Sequence, residues 1–199
     1  VLDMGCWTPL EHFDSGMEAT WHLTDSTEDG SGFEVICAQQ RVGRVTWELT
    51  GQHNQANALA ALAAARHAGV PAEIGVQALS EFRNVKRRME LRGEINDVRV
   101  FDDFAHHPTA IATTLAGLRA QVGHRRILAV LEPRSNTMRM GIHAGRLAES
   151  LCDADQVFVY APPSLSWDAA TTLAGVRAIL HVAEQVQQIV DDLANIARP

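Results

Sequence analysis

The sequence predicts an α/β fold in two parts, a β-rich opening with helices followed by a doubly wound, mostly parallel Rossmann-like domain. Three observations carry this. Residues 1–50 hold short runs of β-branched and aromatic residues, and at Gly51 the pattern changes to a helical period. From about residue 98 onward, apolar runs of strand length alternate with helical patterns, the order expected of a parallel sheet covered by helices. Between the two, VFDDFAHHPT (residues 100–109) reads as a strand, a polar turn and a proline that opens a helix.

In order, residues 20–23, 33–37 and 44–49 read as strands. They are separated by Asp29, Gly30, Ser31 and Gly32 and by residues 39–43, both suited to hairpin connections. Trp21 and Trp47 fall in these strands, where so much apolar area suits a core. Residues 55–68 are almost all Ala, Leu and Asn and are stopped by Gly69 and Pro71, which predicts a tightly packed helix. Residues 71–82 predict a shorter helix with Ile74, Ala78, Leu79 and Phe82 on its apolar face. The basic connector RNVKRR, 83–88, precedes the turn Asn96-Asp97 and is the expected domain boundary, giving domains 1–87 and 88–199. After it, residues 99–103, 127–132 and 156–161 read as buried parallel strands and 178–180 as a short strand. Residues 109–122, 144–152 and 182–196 read as helices.

Composition narrows the function. A net charge of -7, from 24 acidic against 17 basic residues with no basic run longer than the short connector, argues against a general nucleic-acid binder and leaves small molecules as the expected partners. Cys6, Cys37 and Cys152 are widely spaced and form no CxxC, so neither a disulfide framework nor a structural zinc is expected, and a reducing cytoplasm fits. No apolar run approaches the roughly 20 residues that span a bilayer, and a soluble protein is expected. Val1 and the stop at Pro199 directly after a helical pattern suggest a piece of something longer. Neither GxGxxG nor GxxxxGK(S/T) occurs, so no dinucleotide fingerprint or P-loop is present.

Three constellations carry chemistry. In Gln52-His53-Asn54-Gln55-Ala56-Asn57, two amides three residues apart share a helix face and match the donor and acceptor edge of a purine; an Asn helix cap is the alternative. Asp102, Asp103, His106 and His107 at a strand end suit a divalent metal, acid-base chemistry or a nucleotide ribose and phosphate. A capped helix start with solvated histidines is the alternative there. Glu132-Pro133-Arg134-Ser135-Asn136-Thr137-Met138-Arg139 follows the next strand, and its two guanidiniums suit a carboxylate or phosphate unless the loop is simply solvated.

Together these motifs resemble the ATP-dependent Mur ligases of peptidoglycan synthesis. The resemblance rests on HNxxN at His53 to Asn57, Arg-apolar-Glu at Arg88-Met89-Glu90, and DDxxHHP from Asp102 to Pro108, all in family order. Within the family, VFDDFAHHPTAI followed by LEPRSNTMRMG is most similar to the branch that recycles murein peptide. The resemblance implies that residues 1–87 are the end of a central ATP-binding domain and 88–199 a peptide-binding Rossmann-like domain whose last strand would follow Pro199. It implies ATP and magnesium as cofactors, with the P-loop and magnesium ligands upstream of this chain. UDP-N-acetylmuramate and the tripeptide L-Ala-γ-D-Glu-meso-diaminopimelate are the implied substrates, joined as an amide through an acyl phosphate. His53, Asn54 and Asn57 would then meet the adenine end of the nucleotide, and Arg88 and Asp103 its ribose or phosphates. His106 would serve the phosphate and acyl-phosphate region, with Asp103 and His106 as the catalytic pair. His107, Arg134, Ser135, Asn136 and Arg139 would receive the peptide substrate, and no metal ligand is expected in this chain. A metal-dependent hydrolase using the Asp/His cluster and a non-catalytic nucleotide-binding module are the alternatives.

Overall fold

A computed structural model of the chain describes Gly5, residues 7–14 and residues 19–197. Cys6 lies outside the described residues. The chain divides into two compact units between Arg83 and Asn84.

The first unit is a three-stranded antiparallel sheet, β1 (Trp21–Thr24), β2 (Gly32–Cys37) and β3 (Gln40–Thr46), in the order β1-β2-β3. Here β3 differs from the expected 44–49. Ala38 and Gln39 both take positive φ, 48° and 64°, so the hairpin closes in two residues and β3 starts at Gln40. Trp21, Phe33, Val35 and Val45 are buried from this sheet, and Trp47 and Leu49 extend the same core. The Trp47 indole N–H donates to the Gly30 carbonyl at 3.1 Å.

Against the core lie α1 (Gln52–His67) and α2 (Ala72–Ser80), contributing Ala58, Leu59, Leu62 and Val76. Helix α1 begins three residues before the expected Gln55 because Gly51, at φ 90°, makes the entry turn and donates its N–H to the Asp29 carbonyl at 2.7 Å. The buried face of α2 also differs from expectation. Ile74 and Phe82 are 54% and 47% exposed, and the buried positions are Gly75 and Val76, flanked by Ala72 and Leu79. A Cβ on Gly75 would stand 2.7 Å from Leu62 Cδ2, so the glycine permits the close approach of α2 to α1.

The second unit opens with β4 (Glu90–Ile95) and β5 (Val98–Asp102), an antiparallel hairpin. Its turn residues Asn96 and Asp97 both take positive φ. β5 is therefore not the parallel strand expected at 99–103; the left-handed pair folds it back on β4. There follow α3 (Pro108–Val122), β6 (Leu128–Leu131), α4 (Asn136–Arg139), α5 (Ala144–Ser150), β7 (Gln156–Tyr160), α6 (Ala169–Thr172), β8 (Ile179–Ala183) and α7 (Val186–Ile196). β6, β7 and β8 form a parallel sheet in that order, as expected of their apolar runs. Residues 181–183 pair with β7, so β8 runs past the expected 180 and α7 starts at Val186 and not at 182. Val157 and Val159 point into a core with Ile111, Leu115, Leu131, Met138, Leu147 and Leu151, while Phe158 on the other face meets Ile189. Among the described residues no helix is long and apolar enough to cross a membrane.

Candidate functional site

In the first unit, Asn54 and Asn57 sit in the first turns of α1. The capping alternative is not what forms, since the N-cap is Gly51 and no side chain caps it. Asn54 Nδ2 instead donates back to the Thr50 carbonyl at 2.9 Å, which fixes the rotamer and leaves the amide oxygen without a partner among the described residues. Asn57 is exposed and His53 half-buried. Gln55 between them is buried, and its Nε2 has no partner among the described residues. The helix start is placed by the preceding loop. Asp29 Oδ1 accepts from Thr27 Oγ1, Ser31 N and Ser31 Oγ at 2.8, 3.0 and 2.7 Å. Burial works against this carboxylate, yet these donors together outweigh it and hold its pKa below the usual range.

In the second unit, the linker and the DDxxHHP turn are one structure. Asp103 accepts the Met89 N–H through Oδ2 at 2.8 Å and the Ala105 N–H through Oδ1 at 2.7 Å. Asp102 Oδ2 pairs with Arg87 Nε at 3.3 Å, and the Arg87 guanidinium lies 5.2 Å from the Phe104 ring centroid. Arg87 and Met89 both hold positive φ, 59° and 49°, around the exposed Arg88, whose guanidinium has no partner among the described residues. Glu90 accepts the Arg87 N–H at 2.9 Å; that bond first, then Arg92, holds its pKa down.

The two histidines make opposite hydrogen bonds through Nδ1. His106 Nδ1 lies 2.9 Å from the Phe104 carbonyl, which only accepts, so Nδ1 carries a proton and Nε2 is the nitrogen left for a ligand. His107 Nδ1 accepts the Thr109 N–H at 3.2 Å as the cap of α3, so its Nε2 carries the proton. Pro108 occupies the first helical turn as its fixed φ favours. His107 also meets His143, at the N-terminus of α5, edge to face at 4.4 Å.

Parallel pairing brings the loops after β6 and β7 to the same end of their sheet. In the first, Ser135 Oγ accepts the Met138 N–H at 3.3 Å as the cap of α4, and Asn136 is exposed in its first turn. Arg134 and Arg139, at either end of α4, are exposed, and neither guanidinium has a partner among the described residues. In the second, Trp167 Nε1 donates to the Met138 carbonyl at 2.7 Å, and Ser166 Oγ donates to the Arg139 carbonyl. His143, Ser166, Trp167 and Arg87 had no sequence signal. Their partners are set by fold-level adjacency and not by local spacing.

Among the described residues no group of three or more His, Cys, Asp or Glu converges as a metal centre. Asp103 spends both oxygens on backbone N–H groups, and each of the two histidines spends one nitrogen. An oriented imidazole follows β5, and guanidiniums unpaired among the described residues flank α4 after β6, at carboxyl ends of strands, where α/β domains take ligands.

Fold and site thus define a Rossmann-like domain with exposed guanidiniums at the strand ends. Residues 87–199 match the family model "Mur ligase, glutamate ligase domain", and the chain belongs to the Mur ligase family. It is 47% identical over its whole length to the UDP-N-acetylmuramate--L-alanyl-gamma-D-glutamyl-meso-2,6-diaminoheptandioate ligase of Escherichia coli and 49% identical to that of Haemophilus influenzae, covering 43% and 44% of them. A solved murein peptide ligase from Psychrobacter arcticus superposes with a TM-score of 0.69 at 39% identity, over 99% of this chain and 43% of that one. The chain therefore spans less than half the length of these relatives.

Proposed function

We propose that this chain is the carboxy-terminal part of an ATP-dependent amide ligase that joins UDP-N-acetylmuramate to L-Ala-γ-D-Glu-meso-diaminopimelate in peptidoglycan recycling. The observation that carries the reading is the pair of exposed, unpaired guanidiniums, Arg134 and Arg139, on a backbone-pinned helix turn at the strand ends. A peptide bearing several carboxylates is the complement of two forked cationic donors. The identity with ligases named for that reaction supports the choice of peptide.

ATP, when bound, supplies the phosphoryl group that activates the sugar carboxylate. Toward the nucleotide this chain offers the amides of Asn54 and Asn57 with His53 beside them, and separately the free guanidinium of Arg88 beside the Asp103 turn. These donors suit a base edge and a phosphate. We assign to His106 Nε2, the nitrogen not engaged with Phe104, the proton that the attacking amine loses, and to the His107 Nε2 N–H an anionic oxygen. Asp103 acts by holding the turn that carries both. Magnesium belongs to residues outside this chain. No GxxxxGK(S/T) run occurs in residues 1–199, so the chain alone is expected to release no phosphate from ATP, while the polypeptide extended upstream does. We also assign to residues after Pro199 the strand that completes the second unit. The hydrolase alternative finds no support in the site geometry.

The test is Arg134→Ala and Arg139→Ala in the full-length ligase. Each should raise the tripeptide KM about ten- to a hundredfold, the value of a charge-assisted contact of roughly 1.5–3 kcal/mol, and leave the ATP KM nearly unchanged. Equal effects on both substrates would remove the loop from the peptide site.

A further inference from the structure

Helix α4 is a single turn, and a single turn does not hold itself together in water. Its placement depends on what grips its ends. The Met138 side chain is 2% exposed and anchors the turn in the core. Ser135 caps the amino end, where Arg134 stands. At the carboxyl end, beside Arg139, the grip comes from the loop between β7 and α6. The Trp167 indole N–H donates to the Met138 carbonyl at 2.7 Å, and the Ser166 hydroxyl donates to the Arg139 carbonyl.

The same indole closes the exit turn. Gly141 holds φ 71°, and a Cβ there would stand 3.0 Å from Trp167 Cδ1, so ring and backbone are in direct contact. The brace is itself fixed, because Asp168 accepts the Thr171 N–H at 2.6 Å as the cap of α6. A two-pronged contact between guanidinium and carboxylate depends on orientation, so a backbone carbonyl held beside Arg139 sets where that side chain can reach.

We infer that Trp167, with Ser166, is a positioning residue for the peptide substrate: it touches no ligand and acts through the backbone of α4 to aim Arg139. This rests on the reading of the arginine loop as the peptide site. Trp167→Phe keeps most of the apolar packing and removes the donor. In the full-length ligase it should raise the tripeptide KM about three- to tenfold, the worth of one hydrogen bond, with the ATP KM and the UDP-N-acetylmuramate KM within about twofold. Combined with Arg139→Ala it should add little, because both changes act on one contact. Ser166→Ala should give the same pattern, with rescue by Ser166→Thr, and serves alone if the Trp167 variant does not fold. If Arg139→Ala raises the tripeptide KM while Trp167→Phe and Ser166→Ala leave it unchanged, or shift all three KM values alike, the positioning role is wrong and the peptide site stands. If Arg139→Ala itself leaves the tripeptide KM unchanged, the peptide site falls first.

Discussion

Asp103 accepts the Met89 N–H on one carboxylate oxygen and the Ala105 N–H on the other, so a single side chain ties the segment before β4 to the turn after β5. Arg88 and the two histidines sit on the segments it joins. Asp103→Asn keeps the shape but turns an NH2 group toward a backbone donor, which removes one bond to a charged acceptor worth about 1.5–3 kcal/mol. Amide exchange at Met89 or Ala105 should quicken about ten- to a hundredfold, with the parallel sheet unaffected. Unchanged protection at both amides would show that the carboxylate does not hold this turn in solution. His106 and His107 illustrate how much one neighbour decides. Adjacent in sequence, both engage Nδ1, yet in one that nitrogen donates to a carbonyl and in the other it accepts from a helix N–H.

Among the elements, α3, β6 and β7 are joined by one arginine. Arg119, in the last turn of α3, donates to the Gly123 and Arg125 carbonyls at 2.9 and 2.6 Å, to the Asp153 carbonyl at 3.0 Å and to Asp155 Oδ2 at 2.6 Å. Asp155 Oδ2 also accepts the Ile127 N–H at 2.7 Å at the entry to β6. Burial opposes the Asp155 carboxylate, but the Ile127 N–H and the Arg119 guanidinium outweigh it, and its pKa lies below the ordinary value. A depressed folded-state pKa gives stability that is present above the unfolded value, near 3.9 on average, and is lost as pH falls through the folded value. Asp155→Asn should therefore cost on the order of 1 kcal/mol at neutral pH, limited by solvent screening of a half-exposed carboxylate, and should flatten the loss of stability below about pH 4. An unaltered acid limb in urea melts would assign that limb to other groups. The same elements show what a sequence reveals. β7 was legible because a strand buried on both faces is a continuous apolar run, and β6 because it is as apolar although Val130 stays exposed. The pairing of β5 was not, because two left-handed residues without glycine decide it. The buried face of α2 was not legible, because Gly75 carries no apolar signal yet stands where even a Cβ would crowd Leu62. Asp103, His106, His107, Arg134 and Arg139 stood out as contiguous chemistry, whereas Trp167 reaches Met138 across 29 residues only because β6 and β7 lie side by side.

At the scale of the whole molecule, the second unit keeps two strand edges facing one cavity. Among the described residues, β5 pairs only with β4 and β6 only with β7. Their other edges border a cavity of about 620 Å³, lined by Val100 and Phe101 from β5, Val130 and Leu131 from β6, and Leu115 from α3. Leu193 and Ala197, at the end of α7, line it too. Val100 and Val130 are 54% and 56% exposed, and open apolar strand edges are a liability that proteins cover. A strand entering after α7 would run parallel to β6, paired on both sides, and would join the hairpin and the parallel sheet into one. Burying the exposed halves of two valines and closing two ladders should contribute about 2–3 kcal/mol, which in a unit of this size raises Tm by on the order of 10 °C. The chain extended past Pro199 through its next apolar run should melt that much higher than residues 1–199 and should gain amide protection in both β5 and β6. The comparison is decisive at the level of single amides: an extended chain that melts higher while Val100 and Val130 exchange as before has its added segment elsewhere, and the cavity then belongs to a different occupant.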